Sequence, residues 1–215
     1  MVYSFNATLD THTVHSTVHS INGISNWWYR AHYSGGWWEW NYFRMDYYPY
    51  KDGTAIQMYQ ETAEFFDTLH GIFHEEGLRR ISNNGSLVVP TVTLRGPPPS
   101  TESLVFSNVT VTAHNIRRDV FRLGVVTAID TILSLDDQAR ISAGLTWYET
   151  VGSAQIVKTY YVEKINDWIA YDTCGFVYET GDTDQDDWRG NHIHIPSDTR
   201  IIYSPEYVLY FWICL

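Results

Sequence analysis

Histidine and aspartate clusters, two cysteines and a dense run of aromatic rings are the side chains in this sequence that could do chemistry. His15 and His19 stand four apart, the spacing that would put both imidazoles on one helix face and offer them to a metal. Their neighbours Thr13, Val14, Thr17 and Val18 favour strand over helix, so a solvated segment without metal is expected. His192 and His194 alternate with Ile193 and Ile195 and share one strand face, but spacing supplies no third ligand. Asp182, Asp184, Asp186 and Asp187 have the composition of a calcium loop. Counted from Asp182, however, the glycine position of such a loop is Asp187 and its closing glutamate position is Ile193, so an acidic surface turn is expected. The sequence holds no Gly-x-Ser-x-Gly elbow, phosphate-binding glycine loop, His-Glu-x-x-His or Cys-x-x-Cys, and spacing singles out no carboxylate pair. The expectation is a protein that is not an enzyme, with no catalytic residue, metal or cofactor.

The aromatic residues carry more. Between positions 26 and 50 lie Trp27, Trp28, Tyr29, Trp37, Trp38 and Trp40, with six further tyrosines and phenylalanines around them and Gly35-Gly36 in their midst. Gly-Gly between aromatic runs signals a hairpin, and aromatic pairs across strands stabilise a small sheet. Packing is the first expectation for such a cluster. The functional reading is a sugar-stacking platform at Trp37, Trp38 and Trp40, or an aromatic cage for a cation. A second aromatic stretch, Ile195 to Tyr210, is interrupted by Pro196 and Pro205. Proline removes a ladder donor, so this stretch predicts an edge strand or an extended loop, a plausible binding element on a β scaffold.

The positioning elements follow from periodicity. Phe65, Phe66, Leu69, Ile72 and Phe73 recur at one-face spacing and predict an amphipathic helix over 57–80, with Gly77 and then Arg79 and Arg80 at its C-terminal end. Residues 82–103, with Asn83-Asn84-Gly85 and Gly96-Pro97-Pro98-Pro99, read as an extended linker. Val109, Val111 and Ala113 alternate with Thr110, Thr112 and His114, the pattern of a half-buried strand. A β-branched apolar run follows from Val120 to Leu133, and Ser134 to Gln138 reads as a turn. Ile141, Ala143, Leu145 and Trp147 then alternate along a returning strand, which makes Trp147 a core residue by period. Lys158–Val162 and Trp168–Tyr171 read as short additional strands.

At 215 residues, 44% hydrophobic and 16% aromatic, the chain can bury a core and is not disordered. A net charge of −11 argues against nucleic acid as a partner and favours a cationic ligand. Cys174 and Cys214 could form one disulfide or none. Asn6, Asn84 and Asn108 begin Asn-x-Ser/Thr sequons, which fit an extracellular chain. Neither a signal peptide nor an apolar run long enough to span a membrane is visible.

Tyr203-Ser204-Pro205-Glu206-Tyr207-Val208-Leu209-Tyr210 resembles a motif of the extracellular domain of the pentameric Cys-loop ligand-gated ion channels, the nicotinic acetylcholine receptor and its relatives. There the motif reads Trp-x-Pro-Asp-x-x-Leu-Tyr, so Tyr stands for Trp and Glu for Asp. The stretch from Leu135 to Trp147 resembles that family's first hairpin, and Asp187 to Pro196 its segment from a Trp into an Ile/Val-Pro strand. The family's second Trp has no counterpart, Thr150 or Val151 standing in its place. The resemblance implies a mainly β fold, an immunoglobulin-like β-sandwich of the ligand-gated channel extracellular domain with one amphipathic helix before the first sandwich strand. Residues 1–56 would be an aromatic-rich segment outside it and 57–215 a partial ligand-binding sandwich. It further implies neurotransmitter-type ligand binding on the extracellular side of the plasma membrane, a small cationic ligand, a homo- or hetero-pentamer, and no pore in this chain. Of the family's binding residues, Tyr210 matches the aromatic of the first principal-face loop and Trp147 the Trp of the complementary face. Cys174 and Cys214 flank Tyr210 and do not match the signature disulfide. The alternative is a secreted carbohydrate-binding or hydrolytic β-sandwich that uses the 26–50 aromatics.

Overall fold

The computed structural model describes residues 3–10, 13–32, 38–40, 42–99, 102–150, 157–182 and 195–214. Among these residues the fold is mainly β, with strands in four separate sheets and two α-helices. A hairpin of β1 (Tyr3–Asp10) and β2 (Thr13–Ile21), extended by β3 (Ile24–Ser25), forms the first sheet. His15 and His19 fall on β2, as the β-branched neighbours predicted. The second sheet has β4 (Trp27–His32) between β5 (Glu39–Trp40) and β6 (Ala55–Gln60). The expected aromatic hairpin is therefore present, with Arg30 opposite Trp40, while Gly35 and Gly36 lie outside the described residues.

The expected amphipathic helix is α1, Ala63–Ser82, capped by Thr62, whose Oγ1 accepts the Phe65 N–H at 3.1 Å. Its buried face is Phe65, Leu69 and Phe73, at i, i+4 and i+8. That face packs on the aromatics of β4 and of residues 42–48, giving a core of Trp28, Tyr29, Phe43 and Tyr48 that Ile195, Ile201 and Tyr203 close from the far end of the chain. The helix thus shares a core with the N-terminal aromatic segment, whereas the resemblance grouped it with 57–215.

The second core is built on a mixed four-stranded sheet in the order β12 (Cys174–Asp182), β13 (Glu206–Cys214), β7 (Leu87–Arg95), β8 (Ser103–Val111). β7 corrects the linker expected over 82–103. Leu87, Val89, Val92 and Leu94 are buried, and only the Gly-Pro-rich residues that follow connect it to β8. β13 corrects the edge strand or loop expected up to Tyr210. It is a central strand, antiparallel to β12 and parallel to β7, and both prolines lie before it, where no ladder bond is lost. Glu206, Val208, Tyr210 and Trp212 alternate inward. Cys174 and Cys214 are opposite residues of β12 and β13 and form a disulfide.

α2, Ala128–Asp137, corrects the strand and turn expected between Val120 and Gln138. Ile129, Ile132 and Leu135 form its buried stripe. Asp130 accepts the Thr127 N–H at 2.7 Å and its hydroxyl at 2.9 Å, which starts the helix despite the β-branched residues. The residues that resemble the channel family's first hairpin thus begin in a helix. The third sheet, β9 (Ala143–Tyr148), β10 (Thr159–Ile165) and β11 (Trp168–Ile169), adds Val162 and Ile165 to this core and contains the short strands expected near 158–171. The parallel β7/β13 pair and the helix within the core are features the immunoglobulin-like expectation did not include. Among the described residues no helix is long and apolar enough to cross a membrane.

Candidate functional site

β10 and β12 belong to different sheets, and where they run side by side their tyrosines line a cleft of about 280 Å³. Tyr160 and Tyr161 come from β10, Phe176 and Tyr178 from β12, Tyr210 from β13, and Ile195, Pro196 and Ser197 close one end. Among the described residues that line it, none but tyrosine is an ionisable acid or base. Gly175 allows the approach: a Cβ there would collide with the Tyr161 hydroxyl and crowd Ala170, so only glycine lets the Tyr161 ring cross β12. On the other wall Tyr178 donates to the Ile195 carbonyl, and its ring lies 5.8 Å from that of Tyr210.

Tyr210 is 2% exposed, and among the described residues its hydroxyl makes no hydrogen bond of good geometry. Burial raises its pKa far above the ordinary phenol value; Ser197 lies near enough to oppose that shift without reaching hydrogen-bond geometry.

Beside the cleft, Asp198 ties β10 to the segment that contains Ile195, Pro196 and Ser197. It is fully buried and accepts from Arg117 Nη1 at 2.6 Å, from the Thr159 hydroxyl at 2.6 Å and from the Tyr160 N–H at 2.8 Å. The first two residues of β10 are thereby pinned to the 195–205 segment. Arg117 is also bound by Asp119, whose carboxyl it holds below the usual carboxylate range. The guanidinium lies 5.2 Å from the Trp147 ring, which in turn packs edge-on to Tyr160 at 4.9 Å. Lys51, which donates to the Val157 carbonyl at 2.6 Å, sits behind Ile195 and Pro196. Burial lowers its pKa to about 8, with Asp198 opposing.

Of the two residues singled out by resemblance, Tyr210 lines the cleft and Trp147 packs on Tyr160, another lining residue. Trp147 corrects the core position expected from period: it is 37% exposed, because β9 is the outer strand of its sheet and presents this ring to Tyr160 and Arg117 instead of to the interior. Tyr160, Tyr161, Tyr178 and Asp198 were not predicted. Their only signal was the alternation of Phe176 and Tyr178 and the Tyr160-Tyr161 pair, which periodicity reads as strand and nothing more.

Of the proposed sugar platform, Trp37 lies outside the described residues. Trp38 and Trp40 are 41% and 44% exposed, and their rings lie 5.0 and 4.8 Å from the Arg30 guanidinium that both approach. Arg30 is itself held by Gln57 at 2.7 Å. Arg30 thus takes part of each indole surface, leaving the remaining surface to solvent. His192, His194 and the acidic residues from 184 to 187 also lie outside the described residues. No family model, curated protein or solved structure matches this chain.

Proposed function

We propose that this protein is a binding module that takes a small ammonium-bearing ligand in the tyrosine cleft between β10 and β12. This is the ligand-binding part of the receptor-type reading, with the guest held between two sheets of one chain. The observation that carries it is a cleft of about 280 Å³ lined by Tyr160, Tyr161, Tyr178 and Tyr210, with tyrosine the sole ionisable type among the described residues around it. A tyrosine face attracts a cation by about 0.5–1 kcal/mol in water and by about 2 kcal/mol where water is excluded. The net charge of −11 steers cations toward the chain. The cleft is at the small end of ligand pockets, suited to a compact guest.

Titration with choline and with its uncharged tert-butyl analogue 3,3-dimethylbutan-1-ol, followed by tryptophan fluorescence and calorimetry, tests this. Choline binding that weakens in Tyr210→Phe and Tyr160→Ala, with no binding of the alcohol, is the expected result. Equal binding of both would make the cleft a neutral apolar site. Binding of neither by folded protein would remove the proposal.

Carbohydrate recognition at Trp38 and Trp40 is the second reading, favoured by the solvent exposure of both indoles. It predicts fluorescence quenching by an oligosaccharide that Trp40→Ala abolishes and Tyr210→Phe leaves intact.

A further inference from the structure

Asn84-Gly85-Ser86 and Asn108-Val109-Thr110 are both sequons, and the fold presents both asparagine side chains to solvent. Asn84 stands in the exposed turn that leaves α1, at φ 55°, with Gly85 at φ 83° after it. Asn108 lies within β8, also left-handed at φ 49°. It falls opposite Pro90, where the register passes from Val89↔Val109 to Thr91↔Ser107. Proline has no N–H to give the ladder, so the pairing is interrupted there, and asparagine is among the few side-chain-bearing residues that tolerate such a backbone. Ser107 and Asn108 are exposed in succession, whereas Val109 is buried. The irregularity therefore breaks the alternation and turns Asn108 outward.

Asn83, next to the first sequon, and Asn108, in the second, line one open groove of about 360 Å³ with Pro205. The two sequons thus share one side of the molecule. Among the described residues β8 is also an outer strand, hydrogen-bonded to β7 alone, with Val105 59% exposed. A free edge of this length is a template for pairing with a second chain.

We propose that Asn84 and Asn108 are N-glycosylation sites and that the oligosaccharide on Asn108 covers the free edge of β8. In the transfer, the amide Nδ2 bonds to the anomeric carbon of an oligosaccharide carried on a lipid diphosphate. The anomeric C–O bond breaks, the lipid diphosphate leaves, and the amide loses one proton. The Cys174–Cys214 disulfide suits the same oxidising compartment. The inference is independent of the ligand assigned to the cleft.

The test is site-resolved mass spectrometry on the chain recovered from the cells that make it, deglycosylated by peptide N-glycosidase in heavy-oxygen water. Conversion to labelled aspartate at both positions is expected; an unmodified asparagine at either overturns the assignment there. Thr110→Ala removes the second sequon while keeping the backbone carbonyl that receives Gln138 Nε2 at 2.8 Å. That variant is expected to lose the label at Asn108, keep it at Asn84, and self-associate by light scattering where the parent is monodisperse. A size distribution equal to the parent's would overturn the shielding role.

Discussion

The Tyr42 hydroxyl donates to Glu206 Oε1 at 3.0 Å across a sequence separation of 164 residues, joining the aromatic core to the central strand of the mixed sheet. Glu206 also accepts from Arg200 Nη2 at 2.5 Å and from the Tyr203 N–H at 2.7 Å, and Arg200 and Glu206 are both fully buried. Arg200 faces the Phe43 ring at 5.0 Å. Nearby, Glu76 of α1 accepts the Ser204 N–H and hydroxyl at 2.9 and 3.0 Å. The 200–206 turn is therefore where the two cores are tied.

Tyr42→Phe removes one hydrogen bond to a charged acceptor and is expected to cost about 1.5–3 kcal/mol. Glu206→Gln leaves the Arg200 guanidinium buried without its counter-charge, and about 3–5 kcal/mol is expected. Urea unfolding of both variants checks the order. A Glu206→Gln protein as stable as Tyr42→Phe would show that the ion pair adds nothing beyond its geometry.

Asp198→Ala removes three bonds at once and leaves Arg117, itself buried, with Asp119 alone. A loss of about 3–5 kcal/mol is expected. Because Thr159 and Tyr160 begin the β10 wall of the cleft, choline affinity should fall in the same variant at temperatures where it stays folded. Thr159→Val, which keeps two of the three bonds, should fall between this variant and the parent in both measurements.

Reduction of the Cys174–Cys214 disulfide, whose cysteines are 40 residues apart, removes a constraint on the unfolded chain worth about 4 kcal/mol by loop entropy. Cys174→Ser with Cys214→Ser is expected to unfold at correspondingly lower urea. The variant's parity with the parent would mean that the bridge does not restrict the unfolded ensemble.

His114 donates a pH dependence of known sign. Its Nδ1 lies 2.9 Å from Asp130 and its Nε2 3.0 Å from Asp137, so the imidazolium is gripped from both sides. Its pKa is raised above 6.5, chiefly by the hydrogen bond to Asp130, with burial opposing. A raised pKa stabilises the fold fully below the unfolded value and loses that contribution as pH climbs through the folded one. As pH rises from below 6.5 through the raised folded value, the parent should lose stability relative to His114→Gln. Parallel stability curves would show that His114 keeps its proton state on unfolding.

Much of the secondary structure was legible in the chain. The one-face spacing of Phe65, Leu69 and Phe73 placed α1, alternation at Val109 and Val111 placed β8, and the Gly35-Gly36 region signalled the β4/β5 hairpin. Of the candidate site, Tyr210 was reached by resemblance and Trp147 came with it, but the packing of Trp147 on Tyr160 at the cleft was not visible.

Composition and periodicity by themselves determined a β-rich chain with one amphipathic helix, an aromatic hairpin and a strongly acidic surface, because these are local patterns of side chains along the backbone. Only the tertiary structure decided the rest. Ile129, Thr131 and Ile132 prefer strand, and helix wins there because Asp130 caps Thr127 and the Ile129–Ile132–Leu135 stripe is buried against the sheet. Trp147 has the period of a core residue, and it stays 37% exposed on β9, which among the described residues is the outer strand of its sheet. The cleft joins residues from Thr159 to Tyr210 across two sheets, a meeting set by Gly175 and the buried Asp198 that no spacing along the chain encodes.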